Sequence, residues 1–400
     1  MMNRISSFPE IKTLTKGEDL AQEIIRLVRE DNWAEASIKC LKLVEDERFP
    51  KAWMHNEFYA INTKDFKTLL DRFDSQEFLG SNGDFLIVCP YSCPHRGEIY
   101  TKFSAILGKR VNIKHQALEG LDDLIRETFS YLAEPIPEVI SFYKIDGCGH
   151  FEKNTGLPFI PPNGWAALNN SGPVLNDVEA QRARYSFYTK ITIPQIFDAD
   201  TAELILDVLR DETTGILIQQ LEYQFHEAGH ASGLGLLFKL QNNLLHNYWI
   251  GSVEDWRADG VELELIARKS YRNEISEDEA GKVAAAYLGI KLGADAFRLG
   301  GSDKDHDVNA AILTLDRLLE SGLLKLNSNG QMGLRDPSYR SLFRAFEPHR
   351  REALCLTHKE LALDDPSGLI HLYSSIRVPQ ATRVLFNSFL LRCKSLLKAD

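Results

Sequence analysis

The most informative segment of the chain is His226-Glu-Ala-Gly-His-Ala-Ser-Gly-Leu-Gly-Leu-Leu-Phe238. Apolar residues precede it at helical spacing, which predicts a helix that enters a hydrophobic core. Residues four apart lie on one face of a helix, so the imidazoles of His226 and His230 can reach one metal ion. Glu227 lies about 100° further round the helix, where it could take a proton from water bound to that ion.

Small residues follow the histidines and predict that another backbone approaches this helix closely. A glycine in the middle of a helix costs roughly 1 kcal/mol relative to alanine, and a purely structural helix would rarely accept Gly229, Gly233 and Gly235 together. We predict one long helix over residues 214–240.

A third metal ligand is predicted in Glu254-Asp-Trp-Arg-Ala-Asp259, which begins 24 residues after His230. Asp255 and Asp259 share a helix face, so one could bind the ion while the other accepts the N–H of a ligand histidine. Glu254 lies about 100° from Asp255 and is the alternative ligand. Acidic residues are also favoured in the first turn of a helix by the macrodipole, so the spacing leaves the third ligand open.

Two histidines and a carboxylate suit two different metals. Zinc prefers imidazole nitrogen and carboxylate oxygen in tetrahedral geometry, and a catalytic zinc site keeps one position for water. The same ligands form the facial triad of non-haem Fe(II) oxygenases. Glu227 favours zinc, since the iron triad has no need of a glutamate between its histidines. The third hypothesis is a non-enzymatic scaffold protein that has kept the motif helix for structure alone. Loss of Glu227 or of a histidine would have supported it, and neither is lost.

The remaining pattern predicts a mainly α fold with a smaller mixed α/β portion. The predicted elements are a helical hairpin over residues 18–43, a buried strand at 85–89, a loop-rich segment at 146–180, a strand at 186–193, a β-hairpin at 323–334 and helices through most of the C-terminal half. They suggest an N-terminal α/β region (1–150), a loop-rich connection with a strand (151–200) and a helical metal-binding region (201–400). Zincin-like active-site helices are expected in this helical C-terminal lobe.

Composition excludes several classes of partner. The chain has 400 residues, with 46 Lys and Arg against 57 Asp and Glu, and a formal net charge of −11. That balance argues against nucleic acid as the main partner. No apolar run approaches the roughly 20 residues that cross a bilayer, and the N-terminus does not resemble a secretory signal. With six cysteines and no disulfide framework, a reduced cytoplasmic protein without a membrane partner is expected; its oligomeric state is not predicted.

The two motifs together resemble those of the dipeptidyl peptidase III family. That family's active-site helix reads H-E-L-L-G-H-G-S-G-K-L-F and its second motif E-E-x-R-A-E/D, and both have counterparts here in the same order. The resemblance covers about residues 215–325. It implies that His226 and His230 bind zinc, that Glu227 is the general base, that Asp255 is the third ligand, and that Asp259 lies just outside the ligands.

The resemblance also implies a histidine on a later helix that donates a hydrogen bond in the transition state. His306 opens a segment similar to that helix, one residue out of register. The family usually has one more residue between its two histidines, and it has Glu where this chain has Asp255. No counterpart of the family's N-terminal substrate-cleft elements is found, so dipeptide release is not implied.

The sequence therefore predicts a zinc-dependent hydrolase whose substrate is a peptide or a small molecule with an amide bond. Activated water would attack the carbonyl carbon, while Glu227 removes a proton from that water and returns it to the leaving amine. A non-haem Fe(II) oxygenase acting on a small molecule or a peptide is the alternative.

Overall fold

The computed structural model of the chain describes residues 16–63, 78–95, 98–149, 156–158, 174–210, 212–235, 238–239, 242, 244–295, 306–363 and 365–397. Helices predominate among these residues, and a small mixed sheet accompanies them. The predicted class, mainly α with a smaller mixed α/β portion, is confirmed. None of the described helices combines the length and the apolar character that crossing a bilayer requires.

Two compact units are formed by the described residues. The first unit falls within 1–114 and 137–181, and the second within 115–136 and 182–400. The boundaries suggested by the sequence at residues 150 and 200 remain a prediction.

In the described part of the first unit, three helices accompany a five-stranded sheet. Its elements are α1 (Lys16–Arg29), α2 (Trp33–Leu43), α3 (Lys51–Thr63), β1 (Asp84–His95), β2 (Glu98–Arg110), β3 (Val139–Cys148), β4 (Gly156–Pro158) and β5 (Val174–Asp177). The strand order is β1-β2-β3-β5-β4, with β3 and β5 parallel and the other neighbours antiparallel. The predicted helical hairpin and buried strand correspond to α1, α2 and β1.

Buried polar contacts tie α3 to β1 in this unit. The indole N–H of Trp53 donates to the carbonyl oxygen of Leu86 at 2.9 Å, and Glu57 accepts the backbone N–H of Val88 at 2.6 Å. Burial raises the pKa of Glu57 well above its ordinary value, against the lowering effect of the Val88 and Trp53 donors. The contacts fix the helix on a strand whose apolar side chains fill the core.

The second unit is helical and contains the histidine motif. Its helices are α4 (Leu121–Phe129), α5 (Val178–Ile196, which begins at the edge of the first unit), α6 (Ala199–Arg210), α7 (Glu212–Ala231), α8 (Tyr248–Tyr271), α9 (Glu277–Leu288), α10 (His306–Glu320), α11 (Tyr339–Ala345), α12 (Glu347–Leu361), α13 (Pro366–Ser375) and α14 (Gln380–Leu397). A π-helical turn, Gly289–Asp295, follows α9. The strands β6 (Leu324–Leu326) and β7 (Met332–Leu334) form the predicted hairpin. The central helix α8 packs against α7, α10 and α12.

The strand predicted at residues 186–193 is wrong, because this segment belongs to α5. Three of the β-branched residues that suggested a strand, Thr189, Thr192 and Ile193, are fully buried at helical spacing, and Ile196 continues the same stripe one turn later. Packing along one helical stripe therefore outweighs the weak intrinsic preference of these residues for strands.

The long helix predicted over residues 214–240 is confirmed as far as Ala231 but does not continue unbroken to residue 240. Helix α7 ends at Ala231. Gly233 and Gly235 follow with φ of +68° and +74°, the left-handed conformation in which glycine commonly ends helices. The glycines that suggested close packing inside a helix thus include two that terminate it.

Candidate metal centre

Gly229 allows α7 to pack directly on α8. A Cβ atom at Gly229 would lie 2.3 Å from the carbonyl oxygen of Ala258, so any side chain here would force the two helices apart. This contact places the histidine-bearing face of α7 against the N-terminal half of α8. All residues of the candidate centre lie in the second unit.

The imidazoles of His226 and His230 point their Nε2 atoms at one another, 3.1 Å apart. Each Nδ1 atom faces a carboxylate instead. His226 Nδ1 lies 2.8 Å from Asp259 Oδ1, and His230 Nδ1 lies 3.0 Å from Glu254 Oε1. An ionised carboxylate only accepts hydrogen bonds, so it holds the proton on Nδ1 and leaves the Nε2 lone pair free.

Both orienting carboxylates are held in the ionised form. Burial alone would raise the pKa of Glu254, but Arg257 and Lys239 outweigh it and keep that pKa well below its ordinary value. Burial likewise opposes ionisation of Asp259, yet Lys291 and His226 lower its pKa.

Two converging Nε2 lone pairs repel each other unless a cation lies between them. Burial acts to lower the pKa of His226, but the hydrogen bond and charge of Asp259 outweigh it and raise that pKa to about 9. In metal-free protein a second proton on His226 would supply that cation. The same donor arrangement fits a metal ion such as zinc, which binds neutral imidazole.

Asp255 lies on the Nε2 side of the histidine pair. Its Oδ1 atom is 3.7 Å from His230 Nε2, and its Oδ2 atom is 3.5 Å from the Nε2 atom of His306. These separations exceed a hydrogen bond and are close to the distance of about 3.3 Å between two tetrahedral ligands bound at about 2.0 Å. His306 is the first residue of α10, and its side chain is 54% exposed.

Glu254 lies behind the His230 ring, away from the Nε2 atoms. It belongs to a buried ionic cluster in which two acids, Glu254 and Glu360, balance two bases, Lys239 and Arg257. The hydroxyl of Tyr373 lies within hydrogen-bonding distance of both acids and can donate its single proton to one of them. As the alternative third ligand, Glu254 would have to leave these partners, and its position instead matches a residue that orients His230.

Asp259 lies behind the other histidine in the same way. It accepts the hydroxyl of Tyr287 at 3.0 Å in addition to His226 Nδ1, and Lys291 Nζ lies 3.7 Å from its Oδ1 atom. The sequence placed Asp259 outside the metal ligands, and this geometry suits that role.

Glu227 follows His226 on α7 and is partly buried. Within the described part of the chain its carboxylate has no hydrogen bond and no ion pair. Its negative charge is one of the causes of the raised pKa of His226, so the carboxylate lies in the neighbourhood of the centre.

Sequence reasoning missed two buried carboxyls beside the centre. Glu222 precedes His226 by one helical turn, and Glu262 follows Asp259 by three residues. The same spacing rule that selected the motifs could have found both. Burial raises the pKa of Glu262 well above its ordinary value, and the charges of Glu222 and Asp259 raise it further.

Glu262 also forms a second potential metal group, together with His226 and Asp259, whose ligand atoms all lie within 4.8 Å of one another. The ammonium of Lys291 already supplies a cation at Asp259. We therefore place the metal centre on the Nε2 side of the histidines. Lys291, on the π-helical turn, was not foreseen, and no pattern in the sequence distinguishes it from other lysines.

A family model described as a family of unknown function (DUF6014) matches residues 11–275, which include both motifs. No curated protein matches the chain. Among solved structures, the chain is similar to dipeptidyl peptidase III from Caldithrix abyssi, with a TM-score of 0.65 and 12% identity over 91% of this chain and 69% of that one. It is also similar to dipeptidyl-peptidase III from Corallococcus sp. strain EGB, with a TM-score of 0.56 and 13% identity over 92% and 70% of the two chains. At such identities the likeness shows a shared fold.

Proposed function

This chain belongs to DUF6014, a family of unknown function, and we propose that it is a zinc-dependent hydrolase of peptide or amide bonds. The observation that carries the proposal is the convergence of the His226 and His230 Nε2 atoms beside Asp255, with each imidazole backed by an ionised carboxylate. The fold shared with two dipeptidyl peptidases III supports the same reaction class.

We assign zinc binding to His226, His230 and Asp255. Imidazole nitrogen and carboxylate oxygen are ligands that zinc prefers, and three protein ligands leave one position for water. Glu254 and Asp259 would orient the two imidazoles, since the partners of ligand histidines fix the ring and its tautomer.

When bound, zinc lowers the pKa of water and polarises a carbonyl oxygen. Glu227 then accepts a proton from the attacking water, because its carboxylate is next to His226 and has no competing partner among the described residues. The protonated Glu227 donates that proton to the nitrogen of the departing amine as the C–N bond breaks. His306 is left out of this mechanism, because its Nε2 atom lies near the carboxylates of Asp255 and Asp307, at 3.5 and 3.7 Å.

Replacing Glu227 by Gln tests the proposal. The rate of hydrolysis of a mixed library of short peptides and small amides would be measured by the release of free amines. In this variant the rate should fall by roughly 10²–10⁴-fold. Zinc content, measured by elemental analysis, should stay unchanged. Glu320→Gln, which removes an exposed carboxylate at the end of α10, is the matched control and should keep both.

Three outcomes would contradict this function. Full activity in the Glu227→Gln variant would remove the glutamate from the mechanism. Absence of amine release by the zinc-loaded protein across the library would reject a peptide or amide hydrolase. Stoichiometric iron with oxygen consumption would favour the oxygenase.

A further inference from the structure

We propose that a second divalent transition-metal ion binds Asp255, His306 and Asp307, with Asp255 bridging it to the zinc centre. The inference rests on the proposed function only for that bridge. One ligand atom from each of the three residues lies within 4.8 Å of the other two. His306 Nε2 lies 3.5 Å from Asp255 Oδ2 and 3.7 Å from Asp307 Oδ1.

The two oxygens of Asp255 face two different imidazoles. Oδ1 lies 3.7 Å from His230 Nε2, and Oδ2 lies 3.5 Å from His306 Nε2. A carboxylate placed in this way can give one oxygen to each of two ions, and the paired ions of two-metal hydrolases lie about 3.5–4 Å apart. Both nitrogen–oxygen separations are too long for a hydrogen bond. Each is compatible with an imidazole and a carboxylate oxygen that bind the same metal ion.

A helix start explains part of this cluster but not its shape. Asp307 lies in the first turn of α10, where the macrodipole favours an acidic residue. That effect does not require the His306 imidazole and the Asp255 carboxylate of another helix to converge on Asp307. The histidine and two carboxylates suit Zn²⁺ or Mn²⁺, whose ligand preferences include imidazole and carboxylate respectively.

Zinc stoichiometry tests the second site without reference to activity. Protein would first be stripped of metal with a chelator and checked to be folded. It would then be titrated with Zn²⁺ by calorimetry, and the bound ions would be counted by equilibrium dialysis with elemental analysis. We expect two ions per chain in the unaltered protein. The His306→Gln and Asp307→Asn variants should still bind the first ion with unchanged affinity. Their affinity for the second ion should fall by roughly tenfold or more.

Asp278→Asn is the matched control for Asp307→Asn. Both changes remove an acidic residue from the first turn of a helix, but Asp278 is exposed and pairs with Lys282. The control should keep two ions. A single ion in the unaltered protein at saturating zinc, or two ions in both ligand variants, would overturn the proposal.

The His226→Ala variant separates this proposal from the proposed function. It should lose the first ion and keep the second. If the unaltered protein binds one ion that His226→Ala abolishes, the second site fails while the hydrolase centre stands. If it binds one ion that Asp307→Asn abolishes and His226→Ala keeps, the hydrolase centre fails instead.

Discussion

Proton placement on two imidazoles governs the chemistry of the candidate centre. Asp259 and Glu254 accept from the Nδ1 atoms of His226 and His230, so the Nε2 atoms are left to converge. The motif spacing predicted which histidines share a helix face. It could not predict that Glu254 orients His230, because that depends on the direction of the Glu254 side chain toward Lys239, Arg257 and Tyr373.

Replacing Asp259 by Asn should weaken zinc binding by roughly 10–100-fold. The amide can still accept from His226 Nδ1, but it no longer supplies the charge that makes the imidazole a strong ligand and that balances Lys291. Competition with a chromophoric chelator would measure the affinity. Tyr287→Phe keeps the charge of Asp259 while it removes the hydrogen bonds of the Tyr287 hydroxyl to Asp259 and Thr314, and it should have a smaller effect. Equal losses would mean that packing, not charge, is responsible.

Asp255→Asn and Glu254→Gln should differ in their effects on zinc binding and on folding stability. Asp255→Asn should release zinc with little change in the unfolding free energy of the metal-free protein. Glu254→Gln leaves Lys239 and Arg257 with one acid between them, and breaking a buried pair costs about 3–5 kcal/mol. Metal content and urea unfolding would separate the two. Zinc release by Glu254→Gln alone, at unchanged stability, would make Glu254 the ligand.

At the scale of secondary-structure elements, the centre depends on how closely α7 and α8 pack. The sequence predicted close packing from its small residues, and Gly229 fulfils this role against Ala258. It did not separate packing glycines from those that end the helix, since Gly233 and Gly235 have the same side chain and differ only in φ. The strand expected at 186–193 was wrong for a related reason, because local preference carries no information about which face will be buried.

Gly229→Ala should weaken zinc binding and destabilise the protein by roughly 1–3 kcal/mol, because the added methyl group would force α7 away from the carbonyl of Ala258. Gly251→Ala on α8 is the matched control. A Cβ there would meet its nearest neighbours at 3.7 Å, so this change should stabilise the protein by up to about 1 kcal/mol. Zinc titration and urea unfolding would measure both, and equal behaviour of the two variants would rule out the packing argument.

At the scale of the whole molecule, residues far apart in the chain complete the centre. Lys239 and Tyr373 contact Glu254 on α8, and Glu360 pairs with Lys239. Lys239 lies in the segment after α7, Glu360 on α12 and Tyr373 on α13. The general class of fold followed from periodicity and composition, and the two motifs followed from spacing. These long-range partners did not, because a single lysine, glutamate or tyrosine in a helical pattern gives no sign of which distant charge it will neutralise.

Protonation, metal binding and folding are thermodynamically linked in the second unit, and this linkage determines how its stability depends on pH. A histidine whose pKa is raised by folding stabilises the protein fully below its unfolded value of about 6.5, and that contribution is lost as the pH rises through the folded value. For His226 the folded value is about 9. Zinc needs the neutral imidazole, so its binding displaces this proton and strengthens as the pH rises.

The unfolding free energy of the metal-free protein should therefore fall between pH 6.5 and 9, by at most about 3 kcal/mol at 1.36 kcal/mol per pKa unit. Over the same window the stabilisation by saturating zinc should grow, because fewer protons compete for His226. Urea unfolding at several pH values, with zinc and with chelator, would measure both slopes. His226→Ala should abolish the zinc-dependent gain and flatten the metal-free slope. A metal-free protein whose stability rises across this window would show that His226 carries no second proton there, and that Asp259 does not stabilise a charged imidazole.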